Sequence, residues 1–414
     1  MSKESTDLDV ESRVCWENLE SWVRHKVQRL IQELLEEEVT ELLGRSRHQR
    51  RAAVDSRPGY RNGHGKPRKL TLSCGTVSVR RPRVRSLEER FQSRILPLCV
   101  KRSRQVAALI PRLYLHGLAE GDFDLALGGL LGEEAPLSAS TVARLKQSWQ
   151  GEWEVWKSRR LDHLEPVYIW IDGVYVKAGF EKEKAAVLVV LAALADGTKQ
   201  VLAIHPGYRE SEESWSEVLR DLKSRGLKSP RLVVGDGHLG IWEALANVWP
   251  QVEEQRCWNH KILNVLDKLP KTRHQEAKPL LCPIPYAESV QQAQQCRDLF
   301  QHWCRQQGYE AAAACLDRDW GRMVTFYRFP KQHWQHLRTT NPVESPFAAL
   351  RLRTAAAKRF KKVDNATTVI WKMLLVAESR FRRLRAPELT REVYYGAVYE
   401  DGVRVEELCQ EAAA

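Results

Sequence analysis

Three consecutive strand-like runs between residues 166 and 208, two of them nearly uninterrupted in apolar residues, constrain this chain more than anything else in it. They read VYIWIDGVYVKAG, KAAVLVVLAALADG and KQVLAIHPGY, with only turn chemistry between them. Runs too apolar to alternate cannot leave one face in water, so they predict strands of a buried sheet. The following residues supply the cover. Glu212–Ser224 has the spacing of an amphipathic helix, RLVVGDG is another buried strand ending in Asp-Gly, Leu239–Val248 is helical, and EEQRCW is a short strand. After Lys261 the chain is helical and rich in Trp and Gln to about Trp334, as an insertion or as a separate domain, and 344 to 385 reads as further helix.

The residues before the sheet have a different character. Between 15 and 43, Val23, Val27, Leu30, Ile31, Leu34, Leu35, Val39, Leu42 and Leu43 recur at helical steps, with Gly44 as a stop. That stripe needs a partner, either a second subunit or the rest of an N-terminal domain. From 70 to 84, alternation with Gly and Pro punctuation predicts a basic β-hairpin with arginines on its exposed face. Helical periodicity returns from 104 to 149, broken at LHGLAEGD and GEEAPLSAS, where Ser138 or Ser140 would cap a helix through Val142 and Leu145. Short helices joined by tight turns are similar to a helix-turn-helix unit.

Charge is concentrated. The net charge is +12, yet residues 1 to 44 carry 5 basic and 11 acidic side chains while 45 to 104 carry 18 basic and 3 acidic. A second basic stretch runs from Arg351 to Arg385, against only Asp364 and Glu378. Such blocks favour a polyanion, and Arg61, Arg80, Arg81, Arg83, Arg351 and Arg353 are the expected DNA contacts. A solvated charged face is the plain alternative. Ordinary composition, with 43% hydrophobic and 29% charged residues over 414, excludes wholesale disorder. No stretch of about 18 uncharged apolar residues occurs, the acidic start is unlike a signal peptide, and nine cysteines, an odd number, fit free thiols. A cytoplasmic protein without membrane contact is expected.

Two acids stand where such a sheet could do chemistry. Asp172 ends one apolar strand and Asp236 another. Carboxylates at the ends of adjacent buried strands sit side by side, and hard oxygen ligands held that way suit Mg2+ or Mn2+. Each could equally be a turn residue after a strand. The third candidate, Glu344, lies in LRTTNPVESPFAALRLRT, where Thr339, Thr340 and Asn341 are capping types and Pro342 or Pro346 suits a first helical turn. The same helix is expected to continue through Arg351, seven residues on and on the face of Glu344, where a guanidinium would meet DNA phosphate or else pair within the fold. A simple capping role for Glu344 is the alternative. His238 could orient a metal ligand or water, or merely open a helix. Trp215, Trp242, Trp249 and Trp258 read as core, with one of them able to support an unstacked base.

Longer motifs go further. They are GYRNG at 59 to 63 with LTLSCGTVSVRRPRVR, IDGVYVKAG at 171 to 179 and SEESWSEVLRDLKSRGL at 211 to 227. GDGHLGIWEALANVWP at 235 to 250, QRCWNH at 255 to 260, and TTNPVES with RLRT at 339 to 354 complete the set. In these the chain resembles the Mutator-type transposases of bacterial insertion sequences. The resemblance implies a DDE triad on Asp172, Asp236 and Glu344, separated by 64 and 108 residues, with a helical insertion in the second gap. It also implies a Cys-x-x-His pattern at Cys257 and His260. Zinc is not expected there, because no second Cys/His pair has suitable spacing. Pro342 and Pro346 depart from the commoner pattern beside the glutamate.

The expected fold is α/β: a ribonuclease-H-like mixed sheet core with a helical insertion, preceded by an N-terminal helical and β-hairpin DNA-binding region. Its parts are a helical segment at 1–44, a basic hairpin at 45–104, and helices with a possible helix-turn-helix at 105–160. The core at 165–262, the insertion at 263–335, final core helices at 336–385 and an acidic, loosely structured tail at 386–414 follow. The expected function is Mg2+-dependent DNA cleavage and strand transfer, with Mn2+ able to substitute. Partners are the terminal inverted repeats and target DNA, bound by a homodimer or larger assembly associated with the nucleoid. The rivals are a catalytically inactive, transposase-derived regulator and a structure-selective, metal-dependent nuclease.

Overall fold

The computed structural model describes residues 14–50, 58–119, 121–132, 135, 139–178, 185–207, 211–237 and 239–406. The chain divides into two compact units, Met1–Leu145 and Lys146–Ala414.

In the first unit, α1 (Leu19–Leu43) ends at Gly44, whose φ of 63° is the left-handed conformation that terminates helices. Part of its stripe finds cover within the unit: Leu35 is buried with Leu70, Val77, Val79 and Leu96, and Ile31 packs on the same cluster, whereas Leu30 and Leu34 stay exposed. The segment expected as one hairpin is instead two nested ribbons. β1 (Tyr60–His64) pairs antiparallel with β4 (Pro82–Arg85), around a hairpin of β2 (Arg68–Leu72) and β3 (Gly75–Val79). Pro67, which cannot donate to a ladder, separates β1 from β2. Then come α2 (Arg104–Leu115), capped by Ser103, α3 (Phe123–Leu131) and α4 (Ala139–Lys157), which runs across the boundary between the units. Ser138 lies outside the described residues.

The second unit is built on one sheet of β5 (Pro166–Val176), β6 (Ala185–Leu194), β7 (Lys199–Gly207), β8 (Leu232–Gly235) and β9 (Glu253–Arg256). α5 (Glu212–Ser224) joins β7 to β8 and α6 (Leu239–Val248) joins β8 to β9, the order the sequence predicts. Spatially the strands run β7-β6-β5-β8-β9, antiparallel as far as β5 and parallel from β5 to β9. On one face Ile169, Ile171, Leu188 and Val233 pack against Trp215 of α5 and Trp242 of α6. The helices themselves come close, since a Cβ on Gly240 would fall 2.0 Å from the Glu212 nitrogen. Trp215, Trp242, Trp249 and Trp258 are all buried.

Strand alternation turns Tyr168 and Trp170 to the opposite face. Tyr168 donates to His333 Nδ1 (2.8 Å), His333 Nε2 reaches the Ala386 carbonyl (3.1 Å), and Trp170 Nε1 donates to the His336 carbonyl (2.8 Å). Burial lowers the His333 pKa, favouring the neutral ring that accepts at one nitrogen and donates at the other.

The helical stretch after β9 comprises α7 (Trp258–Leu266), α8 (His274–Leu281), α9 (Val290–Gln306), α10 (Glu310–Asp317) and α11 (Trp320–Met323). After it come α12 (Trp334–Leu337), α13 (Asn341–Glu344), α14 (Phe347–Ala356) and α15 (Val363–Glu378). α13 lies against β5 and β6, and α15 against β7. The loose tail expected from 386 is ordered over much of its length. α16 (Pro387–Tyr394) packs on β5, and β10 (Tyr399–Glu400) pairs with β11 (Val403–Arg404). Thr390, Val393 and Tyr399 are buried, and Asp401 accepts the Val290 N–H (2.8 Å), so a few anchors outweigh the acidic composition. No helix among the described residues is long and apolar enough to cross a membrane.

Candidate active site

Asp172 lies within β5 rather than at its end. The strand runs on to Val176 and β6 pairs it throughout, with Asp172 opposite Val189. On its other side the ladder with β8 stops at Trp170 opposite Val234. Asp172 lies two residues beyond that last pair on β5, and Asp236 two residues beyond it, just after β8 ends at Gly235. Asp172 shares the face of Tyr168 and Trp170, the face on which α12 and α13 lie. Asp172 Oδ1 also accepts the N–H of Gly173 (2.8 Å).

Glu344 arrives from α13. The start of α7 is joined to this segment residue by residue: Trp258 N–H donates to the Arg338 carbonyl (2.9 Å), Thr340 N–H to Cys257 Sγ (3.3 Å), and Asn259 Nδ2 to Asn341 Oδ1 (3.1 Å). Cys257 is itself tied to the sheet through its N–H to the Gly235 carbonyl (2.7 Å). The Thr340 hydroxyl donates to Glu344, and His260 Nδ1 stands 4.0 Å from the same carboxylate. Donor atoms of Cys257, His260 and Glu344 lie within 4.8 Å of one another. The imidazole pKa is raised to about 9, chiefly by a hydrogen bond to Cys257 and then by the Cys257, Glu344 and Asp236 charges, against the cost of burial.

The Asp236 turn has a support that sequence reasoning missed. Arg256 Nε donates to the Asp236 carbonyl (3.3 Å), and its Nη1 pairs with Asp319 Oδ2 (2.6 Å). A Cβ on Gly237, at φ 91°, would fall 2.2 Å from Arg256 Nε, so only glycine lets the guanidinium lie beneath the turn. Asp319 also faces Lys261 (3.9 Å) and Arg322 (3.4 Å). Lys261 is 1% exposed, and burial lowers its pKa to about 8. The only local signal was an arginine next to Cys257.

The expected DNA-contacting arginines divide. Arg80, Arg83 and Arg351 are exposed. Arg81 is partly buried, and burial followed by Arg68 and Arg90 lowers its pKa. Arg61 turns inward, pairing with Glu36 (2.8 Å) and donating to Thr40 (2.7 Å). Arg353 is 2% exposed, so its side chain belongs to the core of its unit, not to a DNA-facing surface. The helix expected to join Glu344 to these arginines is broken: α13 ends at Glu344 and α14 begins after Pro346, which has no N–H to carry the ladder across. His238 lies outside the described residues.

Comparison with known proteins sets this basic chain, with its mixed sheet, in the class of DNA transposases. The chain belongs to the Mutator family of transposases, whose family description, "Transposase, Mutator family", matches residues 3–383. It is 42% identical over 297 residues to the transposase for insertion sequence element IS6120 of Mycolicibacterium smegmatis, covering 72% of this chain and 92% of that one. It is 37% identical over 280 residues to the transposase for insertion sequence element IST2 of Acidithiobacillus ferrooxidans, covering 67% of this chain and 94% of that one. Among solved structures it is similar to the Drosophila P element transposase strand transfer complex, at TM-score 0.28 and 12% identity over 69% of this chain and 84% of that one.

Proposed function

We propose that this insertion-sequence transposase is a DDE enzyme on a ribonuclease-H-like core, with Asp172, Asp236 and Glu344 as its metal-binding triad. The observation that carries this reading is the position of the acids in the chain's fold: Asp172 lies on β5 two residues past its ladder with β8, Asp236 directly follows β8, and α13, which ends in Glu344, packs against β5. The strand order, with three antiparallel strands leading into two parallel ones, fits such a core.

The donor set suits a hard divalent ion. Three carboxylates offer oxygen, whereas the soft Cys257 sulfur is buried and occupied by Thr340. Mg2+, with Mn2+ as a substitute, is the ion proposed; when bound it activates the attacking oxygen and stabilises the leaving one. Thr340 orients the Glu344 carboxylate, and Arg256 fixes the Asp236 turn. His260, charged at neutral pH, offsets the like charge of the acids and can contact phosphate. Water attacks phosphorus and the bond to the 3′-oxygen breaks, leaving a 3′-hydroxyl at the element end and a 5′-phosphate on the other side. That hydroxyl then attacks a target phosphodiester, its proton leaving to solvent and the target's own 3′-oxygen departing. The DNA bound is the element's terminal inverted repeats and the target. A homodimer or larger assembly, working at the nucleoid, would bring two ends together.

Asp172→Asn, Asp236→Asn and Glu344→Gln each keep side-chain size and remove a ligand charge. Each should abolish Mg2+-dependent nicking and joining by purified protein while folding and end binding survive, because neutralising clustered carboxylates relieves repulsion. Partial recovery in Mn2+ is expected. Wild-type strand transfer in Mg2+ by any one variant would remove that residue from the site, and a turn-and-cap role predicts that result with a modest loss of stability.

A further inference from the structure

We infer that a cavity beside α13 receives the phosphodiester backbone of the DNA strand that reacts, an assignment that rests on the DDE reading above. The cavity, about 320 Å3, is lined by Lys199, His336, Arg380, Phe381 and Arg382, with Asn341 and Ser345 on the α13 side. Ser345 follows Glu344 in the chain, so the short segment that ends in the third acid also forms part of the cavity wall.

Its chemistry is one-sided. None of the described residues lining it is acidic. Glu378, the nearest acid along the chain from Arg380, is engaged by the Val201 N–H (2.5 Å). Burial lowers the Lys199 pKa, and His336 is pushed down to about 4 by burial and then by Lys199, His333 and Arg385. His336 is therefore neutral at physiological pH, while Lys199, Arg380 and Arg382 hold positive charge around the same space. Cations gathered in a concavity repel one another until an anion enters. The volume is at the small end of ligand pockets and admits a sugar and phosphate of one strand but not a duplex. Phe381 offers an apolar face to a sugar or an unstacked base.

The test combines an Arg380→Ala/Arg382→Ala double variant with duplex oligonucleotides of the element's end. In these, single phosphates near the cut are replaced by neutral methylphosphonates. The double variant should bind ends and melt as wild type does but cut about 10- to 100-fold more slowly, the worth of charge-assisted hydrogen bonds to phosphate. A methylphosphonate at one or two positions should slow wild type similarly and the double variant no further. Arg380→Lys/Arg382→Lys should retain most activity, which separates lost charge from misfolding. Wild-type cutting by the double variant, or additive losses at every phosphate, would overturn the assignment. So would a loss of end binding as large as the loss of cutting. Asp236→Asn runs alongside: its activity would refute the triad, whereas a dead Asp236→Asn beside an active double variant refutes only the cavity.

Discussion

The two units handle sequence proximity in opposite ways. In the second, Glu344, 84 positions beyond His260, is brought with Cys257 and His260 to within 4.8 Å. In the first, 18 basic residues crowd into sixty positions, and among the described ones folding pairs some with acids while leaving others exposed. The acidic helix α1 takes up part of their charge: Glu36 pairs with Arg61 and His64, and the buried Glu38 accepts from Ser93 and the Arg94 backbone. A charge run therefore measures what a segment can offer before its neighbours claim their share. A catalytic constellation depends on register and on cross-links between distant segments. Each side of this contrast can be broken by mutation.

The largest effect beyond the triad is expected at Arg256. Arg256→Met should reduce cutting about 10- to 100-fold, as loss of a group supporting a metal ligand does. It should also raise the Mg2+ concentration needed for half-maximal rate and shrink the rise in melting temperature produced by Mn2+. Asp319→Asn should do the same more weakly, and the pair together should be no worse than Arg256→Met alone. A purely structural ion pair predicts instead a lower melting temperature with unchanged metal dependence. That outcome would mean the helices after β9 do not help position Asp236.

What the sequence made legible follows from this contrast. Strand runs too apolar to alternate announce the sheet, and strand order follows from the helices between them. Asp236 could be named because it directly follows such a run, whereas Asp172, read as ending its strand, lies inside β5, which continues to Val176. Local pattern placed Glu344 only as a helix-start acid; its association with the aspartates came from the family's motifs. Thr340, Arg256 and Asp319 were hidden because their roles lie in contacts with residues distant in the chain. Arg256 meets Asp319 across 63 positions, and Thr340 meets Cys257 across 83. The split between α13 and α14 was open to prediction, since Pro346 interrupts the ladder in the sequence itself.

An intermediate effect separates two arginines of one motif. In RLRT, Arg351 is exposed and Arg353 is 2% exposed. Arg353→Ala should cost about 3 kcal/mol of stability, because it removes a buried group from its surroundings. Arg351→Ala should leave the melting temperature within about a degree, as surface changes do, and weaken end binding or strand transfer. Equal melting losses in the two variants would place Arg351 in an ion pair within the fold and remove it from the DNA track.

The smallest effects fall in the ribbon, where Arg61 and Arg83 come from the same basic block but face different surroundings. Arg61 is spent on Glu36 and Thr40, with only 20% of its side chain exposed. Arg61→Ala should cost about 1 to 2 kcal/mol by leaving Glu36 short of its partner. Arg83 is exposed on β4. If it neutralises one DNA phosphate, Arg83→Ala should reduce the slope of log affinity against log salt by about 0.9 and leave stability unchanged. Thermal melting and salt titration on the two variants give four numbers, and the expectation is a clean exchange between them. A reduced salt slope in Arg61→Ala, with melting preserved, would mean that its pairing with Glu36 opens when DNA binds and that folding pairs off less of the block than the free protein suggests. A melting loss in Arg83→Ala with no change in slope would instead make both arginines structural and shift the electrostatic footprint elsewhere in the chain.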